Sequence, residues 1–274
     1  MKLLHNLSTL LARPTLAAEY VQYSLSRARH GGEAVRRFPA DGVEVGGLNG
    51  FSEYHTCADG LDERERAFVK TYSFAEGALL DVGANLGLFS LLFARRFPKR
   101  VVYAFEPNPS TCAALRSNFA RNHCAQAQAH AAAAADHDGE VSFQADPHSR
   151  ATASIGGPVG SGTVTVPCVT LDGFARDRQP GPVALLKVDV EGHEARVFRG
   201  AAGLLASGDV ALVYFEVCPE LTRRAGFAPE DAARQLEAHG YQLHRFDARG
   251  DLAPVATSEI TAVQLENWLA LRPA

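Results

Sequence analysis

Short apolar runs alternate along the chain with segments in which apolar side chains recur at helical spacing. Such runs predict buried strands, and the amphipathic segments predict the helices between them. The core strands predicted in this way cover residues 79–81, 101–105, 125–133, 183–190, 210–217, 241–246 and 268–271. Because helical segments separate successive strands, the pattern favours an α/β domain built on a mainly parallel sheet.

Outside this core, strands are predicted at residues 141–143 and 163–171. Between them lies segment 146–162, which is rich in glycine, serine and histidine and which we interpret as a loop. A long loop without structure of its own in a compact domain is usually functional or mobile. We therefore expect this segment to act as a substrate lid.

The N-terminal part of the chain has a different pattern. Residues 1–37 carry apolar positions at helical spacing with a break at Pro14, which predicts one or two amphipathic helices. We expect a helical extension over residues 1–40 and one main domain over residues 41–274. The arginines of the extension are Arg27, Arg29, Arg36 and Arg37. They form either a solvated face or a surface for an anionic membrane or a partner, and the helices offer a contact for homo-oligomers.

Composition narrows the class of protein. A net charge of −4 and a pI near 6.2 argue against an extended phosphate-binding face, so nucleic acid is not expected as a substrate. The five cysteines are scattered and include no C-x-x-C pair, which indicates reduced thiols rather than disulfides or a zinc site. No run reaches the ~18 apolar residues of a membrane helix. A cytoplasmic protein without a membrane span is the expectation.

The first chemical signal is the segment 79–106, LLDVGANLGLFSLLFARRFPKRVVYAFE. It predicts a strand ending in Asp81, a turn containing Gly83 and Gly87, a helix, and a second strand ending in Glu106. The two glycines let the backbone turn sharply and let a ligand lie against the main chain. The dinucleotide pattern G-x-G-x-x-G is absent, and an acid before the loop repels phosphate. Glu106 can accept both hydroxyls of a ribose, so a nucleoside with a cation and an amino group, S-adenosylmethionine, is the predicted cofactor.

A second signal follows the fourth predicted strand. Lys187 and Asp189 share one face of that strand, and a lysine inside a buried strand is costly unless a carboxylate meets it. We therefore expect an acid within ~4 Å of its ammonium. The next strand ends in Glu216. Because open α/β sheets bind ligands beyond the carboxyl ends of their strands, Asp81, Glu106 and these acids should point into one crevice.

These motifs resemble the FkbM family of S-adenosylmethionine-dependent methyltransferases. The motifs are LLDVGANLGLFS, FEPNP, VTLDGF, LLKVDVEGHEARVFRGA and VYFEV, and the resemblance covers roughly residues 60–271. It implies a class I methyltransferase (Rossmann-like) α/β sheet, order 3-2-1-4-5-7-6 with the last strand antiparallel and helices on both faces. It also implies O-methylation of a small-molecule or carbohydrate acceptor, such as a sugar or a macrolide. The cofactor loop is matched by Asp81, Gly83, Ala84, Asn85 and Gly87, and the ribose acid by Glu106.

The catalytic roles are inferred from chemistry. His193 titrates near neutrality and follows the fourth strand, which makes it the candidate base for the acceptor hydroxyl. The alternative is that His193 caps or packs the following helix. Asp189 and Glu216 can hold substrate hydroxyls, pair with Lys187 or bind a divalent cation. No metal is assigned.

Two other classes stay open at this point. An NAD-dependent oxidoreductase is disfavoured because the dinucleotide pattern is missing. A module that binds S-adenosylmethionine without catalysis keeps the same fold, since fold alone does not establish function. The presence of Asp81, Glu106, Asp189 and His193 argues against the second class.

Overall fold

The computed structural model describes residues 14–57, 61–146, 149–155 and 163–273. Over these ranges the strands are β1 (Ala34–Phe38), β2 (Val43–Leu48), β3 (Ala78–Val82), β4 (Val102–Phe105), β5 (Ala127–His130), β6 (Ala133–Ala134), β7 (Gly139–Asp146), β8 (Ser149–Ile155), β9 (Thr163–Val169), β10 (Val183–Val188), β11 (Leu212–Val217), β12 (Gln242–Phe246), β13 (Leu252–Pro254) and β14 (Glu266–Leu271). The helices are α1 (Pro14–Arg29), α2 (Phe51–Thr56), α3 (Glu63–Thr71), α4 (Leu88–Arg96), α5 (Pro109–Arg121), α6 (Leu171–Arg178), α7 (Glu194–Arg199), α8 (Ala202–Ser207), α9 (Pro219–Arg224) and α10 (Asp231–Ala238), and a 3₁₀ helix covers Thr257–Ala262.

The large sheet has the strand order β13-β12-β14-β11-β10-β3-β4-β5. Counted from β3 as the first core strand, the order is 3-2-1-4-5-7-6, and β14 runs antiparallel to both of its neighbours. The strand order and the antiparallel strand implied by the resemblance are therefore confirmed. The short strand β13, which pairs with β12 at the edge, was not predicted.

Apolar side chains leave this sheet on both faces. Leu80 and Leu186 belong to one buried cluster, together with Phe198 of α7. Leu79 belongs to a second cluster on the opposite face, together with Phe93 of α4. Because successive side chains of a strand point to opposite faces, a strand covered on both sides reads as a continuous apolar run. This confirms the expectation of helices on both faces.

The N-terminal segment is not wholly helical. Helix α1 ends at Arg29, and the chain turns through Gly31 and Gly32, whose φ angles are 63° and 98°. Strand β1 then pairs with β2 in an antiparallel hairpin. The turn that His30, Gly31 and Gly32 suggest from the sequence is therefore confirmed, whereas the helix predicted as far as residue 37 is wrong beyond this turn, because left-handed glycines end the helix. The predicted helix over residues 1–13 lies outside the described residues, and the domain boundary at residue 40 remains a prediction.

A smaller sheet has the order β6-β9-β7-β8. Strand β8 pairs with β7 in an antiparallel hairpin, so the backbone of Ser149–Ile155 is a strand where we expected a structureless lid. The serine, alanine and threonine of this strand provide little apolar signal. Residues 147–148 and 156–162 of the expected lid lie outside the described residues.

Two expectations from composition can be compared with the structure. All five cysteines carry free thiols, and Cys112, Cys124 and Cys168 are buried. Over the described ranges, the helices are too short or too polar to cross a membrane.

Candidate active site

The register of the large sheet lines up polar side chains at the carboxyl ends of its parallel strands. Lys187 on β10 is level with Asp81 on β3 and with Tyr214 on β11. Two positions further on, Glu216 on β11 is level with Asn267 on β14. Side chains two apart in a strand lie on the same face. Asp81, Lys187 and Tyr214 therefore form one row across the sheet, and Glu216 and Asn267 form a second row nearer the carboxyl ends of the parallel strands. Both rows lie at the edge where the sequence predicts a binding crevice.

Lys187 is buried, and its ammonium holds three parts of the chain together. Nζ lies 3.3 Å from Asp81 Oδ1 and 3.2 Å from Asp189 Oδ2, and it donates a hydrogen bond to the carbonyl oxygen of Gly83 at 2.9 Å. This confirms the predicted pairing with an acid. Burial lowers the pKa of Lys187, but the carboxylates of Asp189 and Asp81 outweigh burial and raise it above its ordinary value. The lysine stays charged and ties β10 to the loop after β3.

Asp81 plays a different part from the one predicted. Its side chain is fully buried, Oδ2 accepts a hydrogen bond from the Ser90 hydroxyl at 2.6 Å, and Oδ1 faces Lys187. A carboxylate enclosed by the protein's own donors has no surface for a ligand. The expected direct contact between Asp81 and the cofactor is therefore not supported. The acid instead orients Lys187 and the start of α4.

The loop glycines are required by packing as well as by turning. Gly83 and Gly87 have φ angles of 77° and 88°, where a side chain is strained. A Cβ on Gly83 would lie 1.8 Å from the carbonyl oxygen of Asp189, and one on Gly87 would lie 2.4 Å from Leu115 Cδ1. At both positions a Cβ would collide with neighbouring protein atoms. The sequence predicts that the glycines make room for a ligand, whereas in the structure they make room for Asp189 and Leu115.

Glu106 holds the same loop from the side of β4. Its Oε2 accepts a hydrogen bond from the backbone N–H of Asn85 at 2.9 Å, and Oε1 accepts one from Asn108 at 2.9 Å. Burial raises the pKa of Glu106 to about 7, against these two hydrogen bonds, which lower it. Each carboxylate oxygen has a second lone pair. The carboxylate is therefore held in a fixed orientation with lone pairs left over. Glu106 is 7% exposed and is not among the residues that line the cavity, so its contact with ribose hydroxyls stays a prediction.

A cavity of about 470 Å³ lies between the glycine loop and the N-terminal hairpin with its following helix. This volume is within the range of small-molecule sites. The predicted loop residues Gly83, Ala84, Asn85 and Gly87 line it, together with Asp189. Lining residues from segments without a recognisable motif are Val45, Leu48, Ser52, Glu53, Thr56, Cys57, Leu61 and Asn267. Tyr214 also lines the cavity; it lies within the motif VYFEV but was not predicted as a site residue.

Two of these unpredicted residues are held by one buried acid. Glu65 of α3 accepts hydrogen bonds from the Tyr214 hydroxyl and from the Asn267 amide nitrogen. Its other oxygen accepts the backbone N–H of Asp62, completing the capping box of α3. The amide oxygen of Asn267 is buried and has no hydrogen-bond partner among the described residues. The side chains of Tyr214 and Asn267 are therefore held in fixed orientations at the cavity wall.

His193 does not face the cavity. It is 3% exposed, and its ring packs edge-on against Phe227 with centroids 6.0 Å apart. This burial favours the alternative, that His193 packs the start of α7, over the predicted role as base. The neighbouring Glu194 accepts the backbone N–H groups of Val190 and Gly192 at 3.1 and 3.2 Å. It fixes the loop between β10 and α7.

Carboxylates concentrate beyond β10 and β11. Burial, followed by the charges of Asp189, Glu191 and Glu194, raises the pKa of Glu216 to about 9. Burial and the neighbouring acids also raise the pKa of Glu191 to about 7. One oxygen of Glu216 is buried without a hydrogen-bond partner in the described part of the chain. Within that part, no three His, Cys, Asp or Glu side chains are arranged to hold a metal ion.

Comparison with known proteins identifies relatives of this chain. The methyltransferase FkbM domain matches residues 81–243, more than half of the chain. Hexuronic acid methyltransferase AglP of Haloferax volcanii is 27% identical over 162 residues, 59% of this chain and 62% of that protein. Methyltransferase 1 of Beauveria bassiana is 27% identical over 178 residues, 55% of this chain and 72% of that protein. A solved precorrin-6y C5,15-methyltransferase from Geobacter metallireducens aligns with TM-score 0.44 and 11% identity, covering 77% of this chain and 89% of the other.

The chain spans less than two thirds of the length of AglP. The matched segment begins at Asp81 and contains the glycine loop, Glu106, Lys187 and Asp189. The cofactor of this family is S-adenosylmethionine, in agreement with the ribose acid and the missing dinucleotide pattern. The chain belongs to the FkbM family of S-adenosylmethionine-dependent methyltransferases.

Proposed function

We propose that this protein transfers a methyl group from S-adenosylmethionine to a hydroxyl of an uncharged sugar or sugar-like natural product. The observation that carries the proposal is the row of polar side chains formed by Asp189, Glu216 and Asn267 beside the cofactor loop. Asp189 and Asn267 line the cavity, and Glu216 is level with Asn267 on the neighbouring strand. Hydroxyl groups donate to carboxylate and amide oxygens and accept from a protonated carboxyl. The domain family and the name of the Haloferax relative support a methyltransferase acting on a sugar.

The residues in the cavity wall and directly behind it suit the cofactor. The loop from Gly83 to Gly87 lines the cavity with backbone groups, and Glu106, which binds the backbone of this loop at Asn85, would supply oxygens for a ribose at the end of β4. Asp189 supplies a negative charge next to the loop, held in place by Lys187. When bound, S-adenosylmethionine supplies a methyl group that is already activated by the sulfonium charge. The protein then has mainly to align the acceptor, and alignment can account for ~7–11 kcal/mol of barrier lowering.

Strand order indicates where the acceptor binds. Glu106 follows β4, Asp189 follows β10, and Asn267 lies on β14, four strands away from β4. At ~4.8 Å per strand this separation is roughly 19 Å. Because the ribose is held at β4, the region between β10 and β14 is left for the acceptor. The two buried oxygens without partners in the described chain, on Glu216 and Asn267, lie in this region.

Charge argues for an uncharged acceptor. The carboxylates of Asp189, Glu191 and Glu194 already raise the pKa of Glu216 by mutual repulsion, after burial. A uronate carboxylate held against them would add to this repulsion. A neutral hydroxyl instead donates a hydrogen bond to an acid. We therefore expect the acceptor to differ in charge from the hexuronic acid named for the Haloferax relative.

Methyl transfer to a hydroxyl releases its proton, which a general base of the protein has to take up. Asp189 is the candidate, because its side chain is 39% exposed and lines the cavity, whereas His193 is buried against Phe227. A general base typically contributes 10²–10⁴-fold. Asp189→Asn is therefore expected to slow turnover by ~10²-fold or more. Binding of S-adenosylhomocysteine serves as the check that the site stays formed.

The test compares two acceptors that differ only at C6, which carries a neutral hydroxymethyl group in one and a carboxylate in the other. Methyl α-glucopyranoside and methyl α-glucuronoside are each incubated with S-adenosylmethionine and the protein, and methyl ethers are detected by mass spectrometry. Transfer to the neutral glycoside is expected, with a KM that rises in Asn267→Ala while cofactor affinity stays unchanged. Transfer to the glucuronoside alone, or to a nitrogen of an added amino sugar, would overturn the proposal.

A further inference from the structure

We infer that Glu65 is a positioning residue of the acceptor site. Through hydrogen bonds to Tyr214 and Asn267 it fixes the cavity wall at β11 and β14, and it thereby raises affinity for the methyl acceptor. The inference rests on the proposed function for the identity of the acceptor. Glu65 and Asn267 both lie outside residues 81–243, the segment matched by the family.

Glu65 is a buried acid whose two carboxylate oxygens face different elements, and the residue is 8% exposed. Oε2 accepts the backbone N–H of Asp62 at 2.7 Å at the start of α3, and Oε1 accepts hydrogen bonds from the Tyr214 hydroxyl and the Asn267 amide. A buried carboxylate is costly without such donors. Glu65 therefore joins α3 to two strands of the large sheet.

The two side-chain donors lie on one face of the sheet but not directly opposite each other. Asn267 is level with Glu216, and Tyr214 is level with Leu269, so Tyr214 and Asn267 are diagonal neighbours across β11 and β14. Diagonal neighbours of an antiparallel pair are roughly 7–8 Å apart. One oxygen of Glu65 receives a hydrogen bond from each. The two side chains consequently take their orientation from the same atom.

The direction of the hydrogen bond from Tyr214 follows from its surroundings. Burial, followed by the negative charge of Glu65, raises the pKa of Tyr214 well above its ordinary value. The phenol therefore keeps its proton and donates it to the hydrogen bond. The ring has neighbours of its own, with its centroid 6.0 Å from that of Phe68 and 5.5 Å from that of Phe89. Packing thus places the ring, and Glu65 orients the hydroxyl.

The contacts of Glu65 end on one wall of the cavity. Tyr214 and Asn267 line the cavity, and so does Leu61, which directly precedes the N-cap residue Asp62. Strands β11 and β14 lie on the side of β10 that is away from β4. This is the side on which we propose that the acceptor binds.

The cofactor loop is held by other side chains. Lys187 donates to the carbonyl oxygen of Gly83, and Glu106 accepts the backbone N–H of Asn85. Loss of the Glu65 carboxylate should therefore weaken the acceptor and spare the cofactor.

The experiment replaces Glu65 by glutamine and measures steady-state transfer to methyl α-glucopyranoside. A glutamine amide has one oxygen and one NH₂ group, so it cannot accept from Asp62 on one side and from Tyr214 and Asn267 on the other. KM for the glycoside should rise about tenfold, and kcat should stay within about twofold. Affinity for S-adenosylhomocysteine should not change.

The matched control is Asp62→Ala. It removes the other half of the capping box, in which the Asp62 carboxylate accepts the backbone N–H of Glu65 at 2.8 Å. The Glu65 carboxylate keeps its three donors in this variant. Asp62→Ala should lower thermal stability and leave KM at the wild-type value, whereas a purely structural role of Glu65 predicts that both variants act alike.

Reversing the polarity of the hydrogen bond provides a rescue. Asn267→Asp alone sets two carboxylates against each other and should raise KM. When Glu65→Gln is added to Asn267→Asp, the amide at position 65 can donate to the new carboxylate. KM of the double variant should then be lower than that of either single variant.

Hydrogen exchange of the Asn267 side-chain amide, followed by nuclear magnetic resonance, reports on the same contact without an acceptor. The signal is assigned by its absence in Asn267→Asp. Exchange should be slow in the wild type and faster in Glu65→Gln, and unchanged exchange would overturn the inference.

The other outcomes are equally definite. Unchanged KM in Glu65→Gln overturns the inference. So does an equal loss of S-adenosylhomocysteine affinity, because it shows that the whole cavity is distorted, and so does a double variant without recovery. If the folded wild-type protein binds S-adenosylhomocysteine but methylates no glycoside, the proposed acceptor class fails. Amide exchange then still decides whether Glu65 holds Asn267.

Discussion

Replacing Lys187 by methionine removes a buried ammonium while keeping a side chain of similar length. In the wild type this ammonium lies 3.3 Å from Asp81 and 3.2 Å from Asp189, and it also binds the carbonyl oxygen of Gly83. The variant keeps both acids. Asp81 is fully buried, so its charge would then have only the Ser90 hydroxyl to compensate it.

The magnitude follows from the burial of the pair. Removing one partner of a buried ion pair typically costs about 3–5 kcal/mol, because the remaining charge stays desolvated. Lys187→Met should therefore lower the free energy of unfolding by about that amount. The two carboxylates would also repel each other, so the loop at Gly83 should bind the cofactor more weakly.

The pH dependence of the free energy of unfolding provides a second test with the same variant. The wild-type pKa of Lys187 is raised in the folded state, so its contribution is complete below the unfolded value of ~10.4 and is lost only as pH rises through the folded value. Around neutral pH, the wild-type contribution is therefore constant. In the variant, proton uptake by a buried acid relieves the uncompensated charge. The difference in stability between the two proteins should shrink as pH falls.

Urea unfolding at several pH values measures both effects. Lys99→Met is the matched control, because Lys99 is exposed, and it should change the free energy of unfolding by no more than ~0.5 kcal/mol. Adding Asp81→Asn to Lys187→Met should recover part of the loss. A loss below ~1 kcal/mol in Lys187→Met, or one that is independent of pH, would refute the proposed pairing.

Two further predictions concern the cofactor loop. Gly83→Ala places a Cβ 1.8 Å from a carbonyl oxygen, whereas a Cβ on Gly31, with a similar φ of 63°, meets nothing within 4 Å. Gly83→Ala should therefore lower the melting temperature more than Gly31→Ala, and equal shifts would rule out the packing role. Because burial raises the pKa of Glu106 to about 7, affinity for S-adenosylmethionine should increase between about pH 6 and about pH 8. The same titration of Glu106→Gln should be flat, and a flat wild-type profile would contradict the ribose role.

The apolar runs were sufficient to predict the core of the fold. Strands β3, β4, β10 and β11 are covered on both faces, so their sequences are apolar apart from one charged residue each in β3, β10 and β11, and they are easy to recognise. Strand β1 was missed because its sequence, AVRRF, contains two arginines. Arg37 is mostly exposed and pairs with Glu44 across the hairpin, a contact that depends on tertiary structure.

The candidate site was predicted in part. A lysine in a buried strand requires an acid, so the pairing of Lys187 could be predicted from the sequence. The buried position of Asp81 could not, because it depends on Ser90 and Lys187 together. A histidine after a strand is compatible with a base and with packing, and the sequence does not show the burial of His193 against Phe227 that favours packing.

Most residues of the cavity wall could not be predicted from the sequence motifs. Glu65 and Asn267 are 202 positions apart and meet only because β14 inserts beside β11. Glu53 lies on a short helix whose position depends on the hairpin before it. A single sequence carries no periodic signal for contacts of this kind.

The central claim is that the glycine loop and Glu106 form a site for S-adenosylmethionine. Titration calorimetry of the wild-type protein with S-adenosylmethionine and with NADH tests it most directly. We expect S-adenosylmethionine to bind, NADH to give no binding heat, and Glu106→Ala to weaken S-adenosylmethionine by ~1.5–3 kcal/mol for each charged hydrogen bond lost. Binding of NADH without binding of S-adenosylmethionine, or an unchanged affinity in Glu106→Ala, would contradict the account.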